Sequence, residues 1–329
     1  MKIAIITDGN NELGLGHVYQ SLTLANALKE QSSKSLRINF MTKSDEGICQ
    51  FIHSSGYDVE HFDHDELIFE KLQLDQPDRI IFDKLDVSPC FAAKIKEILK
   101  IKLIISTNLT EANRYADIAV FPDFGSNFKN IVNKNYLTGR VEFFGLKYWL
   151  LRPEFYAFKK KVKTHNDTIK NIMLMFGGSD PANLSTFVLR ELLQIDFEFN
   201  ILLVLGSAFN HTKELSSILD KNKISQSKVS IVNNITNVAE EMYKSDVVFA
   251  SPGLSFSEAL VVGTPVVGFH QNEPQRKEYA DVLPTLGLDD LYKLPLIIKN
   301  KSFVFPDDPL IQSMEIGEGK DEIINAILN

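Results

Sequence analysis

The chain has 329 residues, 44% hydrophobic and 24% charged, with a formal net charge of -8, which is enough apolar sequence for one large or two ordinary domains around a sizeable core. The acidic balance, with no basic run denser than FKKKVK (Phe158 to Lys163), speaks against a nucleic-acid backbone or an anionic membrane as partner. Two cysteines, Cys49 and Cys90, exclude a disulfide framework, and the opening strand is too short for a signal-peptide core or a spanning segment, so a reducing, cytoplasmic setting is expected.

From the N-terminus, short β-branched runs alternate with stretches of helical period: KIAIITD, LRINFMT, DVEHF, RIIFD, KLIIST, DIAVF and VEFFG. Such alternation predicts a parallel sheet wrapped by helices. Two histidines in HFDHDE (His61 to Glu66) invite a metal, but without a third ligand the stretch reads as a strand entering a polar turn, and no metal is expected. Strand character stops over Leu150 to Lys170, where a proline intervenes and charge density rises. A second series follows: NIMLMFGG, FNILLVLG, KVSIVNN, DVVFASPG and TPVVGFH. The expected architecture is α/β, two doubly wound domains covering 1–165 and 166–329. The last stretch carries Ile323, Ile324, Ala326, Ile327 and Leu328 at helical spacing, which predicts a closing helix packed on one of them.

Ligands of open α/β sheets gather beyond the carboxyl ends of the strands, so the loops there hold the candidate chemistry. In LGLGHVYQ (Leu13 to Gln20), Gly14 and Gly16 permit close ligand approach, and His17 falls in the first turn of a helix. The field of a helix start disfavours imidazolium, so a neutral, proton-accepting His17 is expected; the bland alternative is a capping histidine. A dinucleotide fingerprint is excluded because position 19 is tyrosine. In FGGSDPANLS, Gly177 and Gly178 would let a diphosphate reach the main chain and Ser179 would donate a hydroxyl, unless Ser179 or Asp180 caps the helix. In SPGLSFSEAL, the N–H groups of Ser255 and Phe256 would face an anion. Ser255 and Glu258 also fit a capping box, the alternative being a Glu258 carboxylate that holds a diol.

Taken together, GLGHVYQ, LLRPEF, FGGSDPANLS and SPGLSFSEALVVGTPVV resemble the PseG/SpsG group of nucleotide-sugar enzymes, related to the MurG glycosyltransferases. The resemblance implies the GT-B fold, two Rossmann-like domains facing each other across a cleft, and, in its PseG branch, a UDP-2,4-diacetamido-2,4,6-trideoxy-altropyranose hydrolase. It implies His17 as catalytic base, Gly14 and Gly16 facing the diphosphate, and Gly177, Gly178 and Ser179 near the phosphates. It further implies Ile235 reading uracil through its backbone, Glu258 binding ribose and Gln275 closing the sugar end. The chain departs from PseG-like sequences at Gln20 (arginine there), at Lys84 and Leu85 (His-Tyr) and at Pro274 (asparagine).

The reading that follows is a UDP-sugar hydrolase serving nonulosonic-acid or surface-polysaccharide synthesis, with His17 activating water and no cofactor. A UDP-sugar glycosyltransferase and a non-catalytic nucleotide-sugar-binding protein are the alternatives. The partner is a UDP-sugar, with neither nucleic acid nor stable membrane insertion expected.

Overall fold

A computed structural model describes residues 1–9, 15–123, 129–159, 161, 163–164, 166, 168–206, 208–221, 228–233, 235, 237–279, 283 and 285–329. Gly14 lies outside the described residues. Two compact units emerge: Met1–Arg152 with Ser313–Asn329, and Pro153–Gln312. The chain therefore changes unit at Arg152, ahead of the 165/166 division suggested by composition, and its last residues belong to the first unit. The physical reason is that the helix Pro153–Lys159 already packs on the helices Val238–Lys244 and Leu254–Val261 of the second unit.

Every β-branched run named above forms a strand. In the first unit these are β1 (Lys2–Thr7), β2 (Arg37–Thr42), β3 (Asp58–His61), β4 (Arg79–Asp83), β5 (Lys102–Ser106) and β6 (Ile118–Phe121), followed by β7 (Ile131–Lys134) and β8 (Val141–Phe144). The sheet order is β3-β2-β1-β4-β5-β6-β8-β7. All neighbours are parallel except β7, which pairs antiparallel with β8. β7 is the strand the sequence pattern does not announce: all four of its residues are exposed at the sheet edge, so it carries no apolar alternation. In the second unit β9 (Asn171–Met175), β10 (Asn200–Leu205), β11 (Lys228–Asn233), β12 (Val247–Ala250) and β13 (Val266–Gly268) form a parallel sheet ordered β11-β10-β9-β12-β13.

Strand alternation sends side chains to both faces. In the first unit Ile3, Ile5, Ile81 and Ile104 meet the helix Gly16–Gln31 on one face, while Ala4, Ile6, Phe82 and Ile105 meet the other layer. The closing helix Lys320–Leu328 joins the first of these layers through Ile323, Ile324 and Ile327, each at most 1% exposed; burial of this kind is worth roughly 1.5–3 kcal/mol per side chain. Arg79 Nε donates to the Ile327 carbonyl (3.2 Å) and Lys102 Nζ to the Ala326 carbonyl (3.0 Å), so two cations complete the helix's C-terminal end.

The connector is not wholly solvated, for all its charge. Lys163 turns inward, and its Nζ donates to the Ser245 carbonyl (2.5 Å) and Thr264 Oγ1 (2.6 Å). Burial, only partly countered by the charge of Asp246, lowers its pKa to about 8.

Among the parallel strands of each sheet the connections reverse direction at one point: between β1 and β4 in the first unit and between β9 and β12 in the second. These switch points are where crevices open at the carboxyl ends of the strands.

Candidate functional site

At the first switch point the polypeptide leaves β1 and re-enters as the helix Gly16–Gln31, whose N-cap, Leu15, gives no side-chain hydrogen bond. The helix presents Val18, Leu22, Leu24, Ala25 and Leu28 to the core, as its spacing predicts, and this fixes the position of His17 one residue past Gly16. His17 Nδ1 lies 2.9 Å from Asp83 Oδ1, with both side chains largely buried at 14% and 4% exposure. Asp83 is the last residue of β4 and pairs in register with Thr7 of β1, so the fold places it beside the first helix turn.

Asp83 is itself held on every side. Ser21 Oγ donates to Oδ2 (3.2 Å) and Thr107 Oγ1 donates to Oδ1 (2.6 Å), while Thr107 Oγ1 also sits 3.2 Å from His17 Nδ1. A buried carboxylate needs such donors to offset its lost hydration.

A second ionic group borders the pair. Lys84 Nζ, on a residue 5% exposed, contacts Asp8 Oδ2 (2.5 Å) and Asp86 Oδ1 (3.2 Å). Asp8 Oδ1 accepts from the Lys43 N–H (2.8 Å) and Thr42 Oγ1 (3.2 Å). Burial would raise the Asp8 pKa, but the Lys84 charge and hydrogen bond and the Lys43 N–H together bring it below the usual value. Burial would lower the Lys84 pKa, yet Asp8 and then Asp86 hold it above.

The protonation of His17 differs from the sequence expectation. Burial alone would lower its pKa, but the Asp83 hydrogen bond and charge, with smaller contributions from Asp86 and Asp8, raise it above 6.5. Three nearby carboxylates thus outweigh the partial charge of a helix start. What remains of the expectation is geometry: a histidine with an oriented ring and a carboxylate behind it is what a general base requires.

The second switch point is built differently, from backbone and amides. After β9, Gly177 adopts φ +85°, and Asp180 (+47°) and Asn183 (+55°) are also left-handed, so the loop turns sharply before the helix Leu184–Gln194. Gly178 presses against Gly206, where a Cβ would stand 2.3 Å from the Gly178 carbonyl oxygen. Asp180, 2% exposed, accepts from the N–H groups of Leu184 (2.9 Å) and Ser185 (2.7 Å). Of the two capping candidates it is therefore Asp180 that closes this helix start.

After β12 the outcome is the opposite. The helix Leu254–Val261 begins behind Gly253, at φ 132° and ψ -149°, and has no side-chain cap. Ser255 lies inside its first turn, so the Ser255–Glu258 capping box does not form: the helix starts two residues earlier than the sequence suggests, behind Gly253, whose conformation only glycine takes. The first-turn N–H groups, those of Ser255 and Phe256 among them, have no acceptor within the helix. Phe256 is buried (1%), its ring edge-on to Tyr279. Glu258 is buried at 2%, one turn further along.

Gln271, which the sequence did not single out, joins the loops after β9, β12 and β13. Its Nε2 lies within reach of the Phe176 carbonyl (2.9 Å), Ser251 Oγ (3.0 Å) and Asp180 Oδ1 (3.1 Å), and its Oε1 accepts from the Ala182 N–H (3.1 Å). Gln275 buttresses it, accepting from the Gln271 N–H (2.8 Å) and donating to the Pro252 carbonyl (3.4 Å). Ile235 sits half-buried between β11 and the helix Val238–Lys244, beyond a carboxyl strand end.

Thus the structure gathers Gly177, Gly178, Ser179, Ser255, Phe256, Glu258 and Gln275 on loops and helix starts of one unit and Gly16 and His17 on the other. Asp83 was visible only as the residue before Lys84 and Leu85. Its signal was position, the end of the third β-run after the glycine loop. Thr107 and Gln271 gave none. Among the described residues no three His, Cys, Asp or Glu side chains are grouped to hold a metal, and no helix is long and apolar enough to cross a membrane.

No protein-family model matches the chain. Over its whole length the chain is 40% identical to protein MJ1062 of Methanocaldococcus jannaschii, of which it spans 66%, just under two thirds. It is 27% identical, again over its full length, to the spore coat polysaccharide biosynthesis protein SpsG of Bacillus subtilis, covering 98% of that protein. Among solved structures, MurG from Acinetobacter baumannii superposes with a TM-score of 0.62 at 12% identity, covering 100% of this chain and 99% of that one. UDP-GlcNAc 2-epimerase from Neisseria meningitidis bound to UDP-GlcNAc gives 0.59 at 11% identity, with 100% of both chains covered. Anabaena HepE in complex with UDP-glucose gives 0.56 at 15% identity, covering 100% of this chain and 96% of that one. At such identities these likenesses speak for the fold alone: the chain is GT-B in architecture, with two Rossmann-like α/β units, and similar in sequence to SpsG from end to end.

Proposed function

We propose that the chain is an enzyme acting on a UDP-sugar in polysaccharide biosynthesis, and that its reaction is hydrolysis with His17 as general base. The observation that carries this reading is the His17–Asp83 pair at the switch point of the first sheet. Similarity to SpsG supports the biosynthetic setting, and the UDP-sugars bound in structures of the same fold support the ligand class.

In this reading the second unit receives the nucleotide. The uncapped start of helix Leu254–Val261 offers N–H groups and partial positive charge to the diphosphate, whereas the start of Leu184–Gln194 is closed by Asp180. Gly177, Gly178 and Ser179 line the approach of the phosphates, and the backbone at Ile235 meets the base. Glu258 holds the ribose diol and Gln275 borders the sugar. His17 takes a proton from water while the water oxygen bonds to the anomeric carbon and the carbon–oxygen bond to UDP breaks. A positioned base contributes on the order of 100- to 10,000-fold, and each N–H donor to the leaving phosphate on the order of 100-fold or more.

The SpsG likeness, to a protein of spore coat polysaccharide biosynthesis, favours a second reading: the proton taken by His17 comes from a sugar hydroxyl, and the enzyme is a transferase. One experiment separates them. UDP release is measured from a panel of acetamido-sugar nucleotides without acceptor, for wild type and His17→Ala. Release that depends on His17 supports hydrolysis. UDP binding with release only after a sugar acceptor is added turns the reading to transfer.

A further inference from the structure

Thr107 occupies a conformation that a β-branched residue rarely takes, φ +56°. It follows Ser106, the last residue of β5, and its N–H still bonds to the Val120 carbonyl of β6 (3.0 Å). On β5, Ile104 faces the helix Gly16–Gln31 and Ile105 the opposite layer. Alternation therefore assigns Ser106 to the His17 side and, were the strand to continue extended, Thr107 to the far side. The left-handed turn reverses this and brings the Thr107 hydroxyl back over the end of β4, 2.6 Å from Asp83 Oδ1 and 3.2 Å from His17 Nδ1.

A hydroxyl has one proton and two lone pairs, and an ionised carboxylate only accepts. The 2.9 Å contact between Asp83 Oδ1 and His17 Nδ1 is attractive only with a proton on Nδ1. The Thr107 proton then goes to Oδ1, and its lone pair faces the Nδ1–H. The opposite tautomer would set a bare Nδ1 lone pair against the carboxylate. Ser21, donating to Oδ2 at 3.2 Å, keeps the carboxylate from rotating out of this arrangement.

We propose that Thr107 is a positioning residue: acting through Asp83, it fixes the proton of His17 on Nδ1 and so leaves Nε2 as the basic nitrogen. This rests on the reading of His17 as the base. In the reaction the proton from the attacking hydroxyl arrives at Nε2, giving an imidazolium whose Nδ1–H stays on Asp83, and it leaves to solvent afterwards. The charged groups bearing on His17 are Asp83 and Asp86, from the end of β4 and its following loop, and Asp8, just past β1; Lys84 in turn pairs with Asp8 and Asp86. The Thr107 hydroxyl draws on the same Asp83 oxygen as the imidazole. Removing it leaves the carboxylate anchored by Ser21 alone, so that Oδ1 is held less firmly against the Nδ1–H, whereas Asp83→Asn removes the charge altogether.

The test is a titration of the His17 ring nitrogens by 15N NMR in the full chain without ligand, alongside the pH dependence of UDP-sugar turnover, for wild type, Thr107→Val and Thr107→Ser. Valine keeps the shape and deletes the hydroxyl; serine restores it. With Thr107→Val the proton no longer stays on Nδ1 alone, the imidazole titrates at lower pH, and kcat falls about tenfold with KM nearly unchanged. Thr107→Ser retains the wild-type tautomer and titration, and Asp83→Asn titrates at lower pH than wild type. A wild-type tautomer and titration in a folded Thr107→Val protein would overturn the proposal, whatever the turnover. If the tautomer responds as stated while no UDP-sugar is turned over by wild type, the assignment of Thr107 stands and the hydrolase reading falls.

Discussion

The two switch points share one topology and are furnished in contrary ways. In the first unit the strand ends carry side chains that ionise or hydrogen-bond strongly: His17, Asp83, Lys84 and Asp8, each tied to another by a contact of 2.5 to 2.9 Å. In the second, the corresponding loops are glycine, serine and amide, and the helix start after β12 has no capping side chain. A crevice lined with main-chain donors recognises a constant anion at little cost in flexibility, while one lined with coupled ionisable groups can move a proton. On the proposed function, the contrast puts recognition in one half of the chain and chemistry in the other.

The largest effect that would break this division is expected from His17→Ala. Turnover should fall by about 100- to 10,000-fold, with UDP affinity by calorimetry altered less than about threefold, a level at which no direct contact is lost. A parallel loss of UDP affinity would show that the two halves do not divide the work. Next come changes in the second unit that should do the reverse. Gly253→Ala has free space for its Cβ but forces the methyl into a glycine-only conformation, a strain of about 1–3 kcal/mol. Weaker UDP binding with kcat retained at saturation is expected; an unchanged Kd would remove the helix start from the binding site. Gln271→Leu strips the loops after β9, β12 and β13 of their common partner, lowering stability by about 1–3 kcal/mol for each buried group left unpaired. Thermal unfolding with and without UDP would register it as a lower Tm and a smaller shift on ligand addition.

A subtler effect sharpens the chemical half. Because His17 must be deprotonated to act and its pKa is raised, the acid limb of kcat/KM should lie above pH 6.5, and Asp83→Asn should move it down. The same shift makes the pair's contribution to stability full below pH 6.5 and lost as pH rises through the raised value. The smallest effect lies in the connector. With its pKa lowered to about 8, Lys163 binds fewer protons folded than unfolded, so stability gains as pH rises from about 8 towards 10.5. Lys163→Met should flatten that rise in a urea titration; an unchanged slope would show that the ammonium is not buried as described.

How much of this was legible beforehand depended on whether the determinant was local. Ten strands were readable from apolar runs within parallel sheets, and the edge strands β3 and β11 from β-branched residues set between polar ones; β7 was not, since its four exposed residues offer only Ile131 and Val132. His17 and the glycines around it announced themselves by position. The charge of His17 did not, because it depends on Asp83 and Asp8, 66 and 9 residues away in sequence but neighbours once β1 and β4 pair. The capping role of Asp180, and its denial to Ser255, turned on left-handed backbone at Asp180 and on Gly253, which composition does not reveal. Thr107 was invisible for the same reason.

One further consequence follows from the closing helix. The first unit gives up the chain at Arg152 and takes it back at Ser313. During synthesis, therefore, the face of its sheet that Ile323, Ile324 and Ile327 cover stays open to solvent until Lys320–Leu328 leaves the ribosome, by which time the second unit can already have folded as a unit of its own. Of the two units, the one that carries the histidine is completed later, and a cut near Gly319 would be felt in the layer of the sheet that packs on the helix of His17.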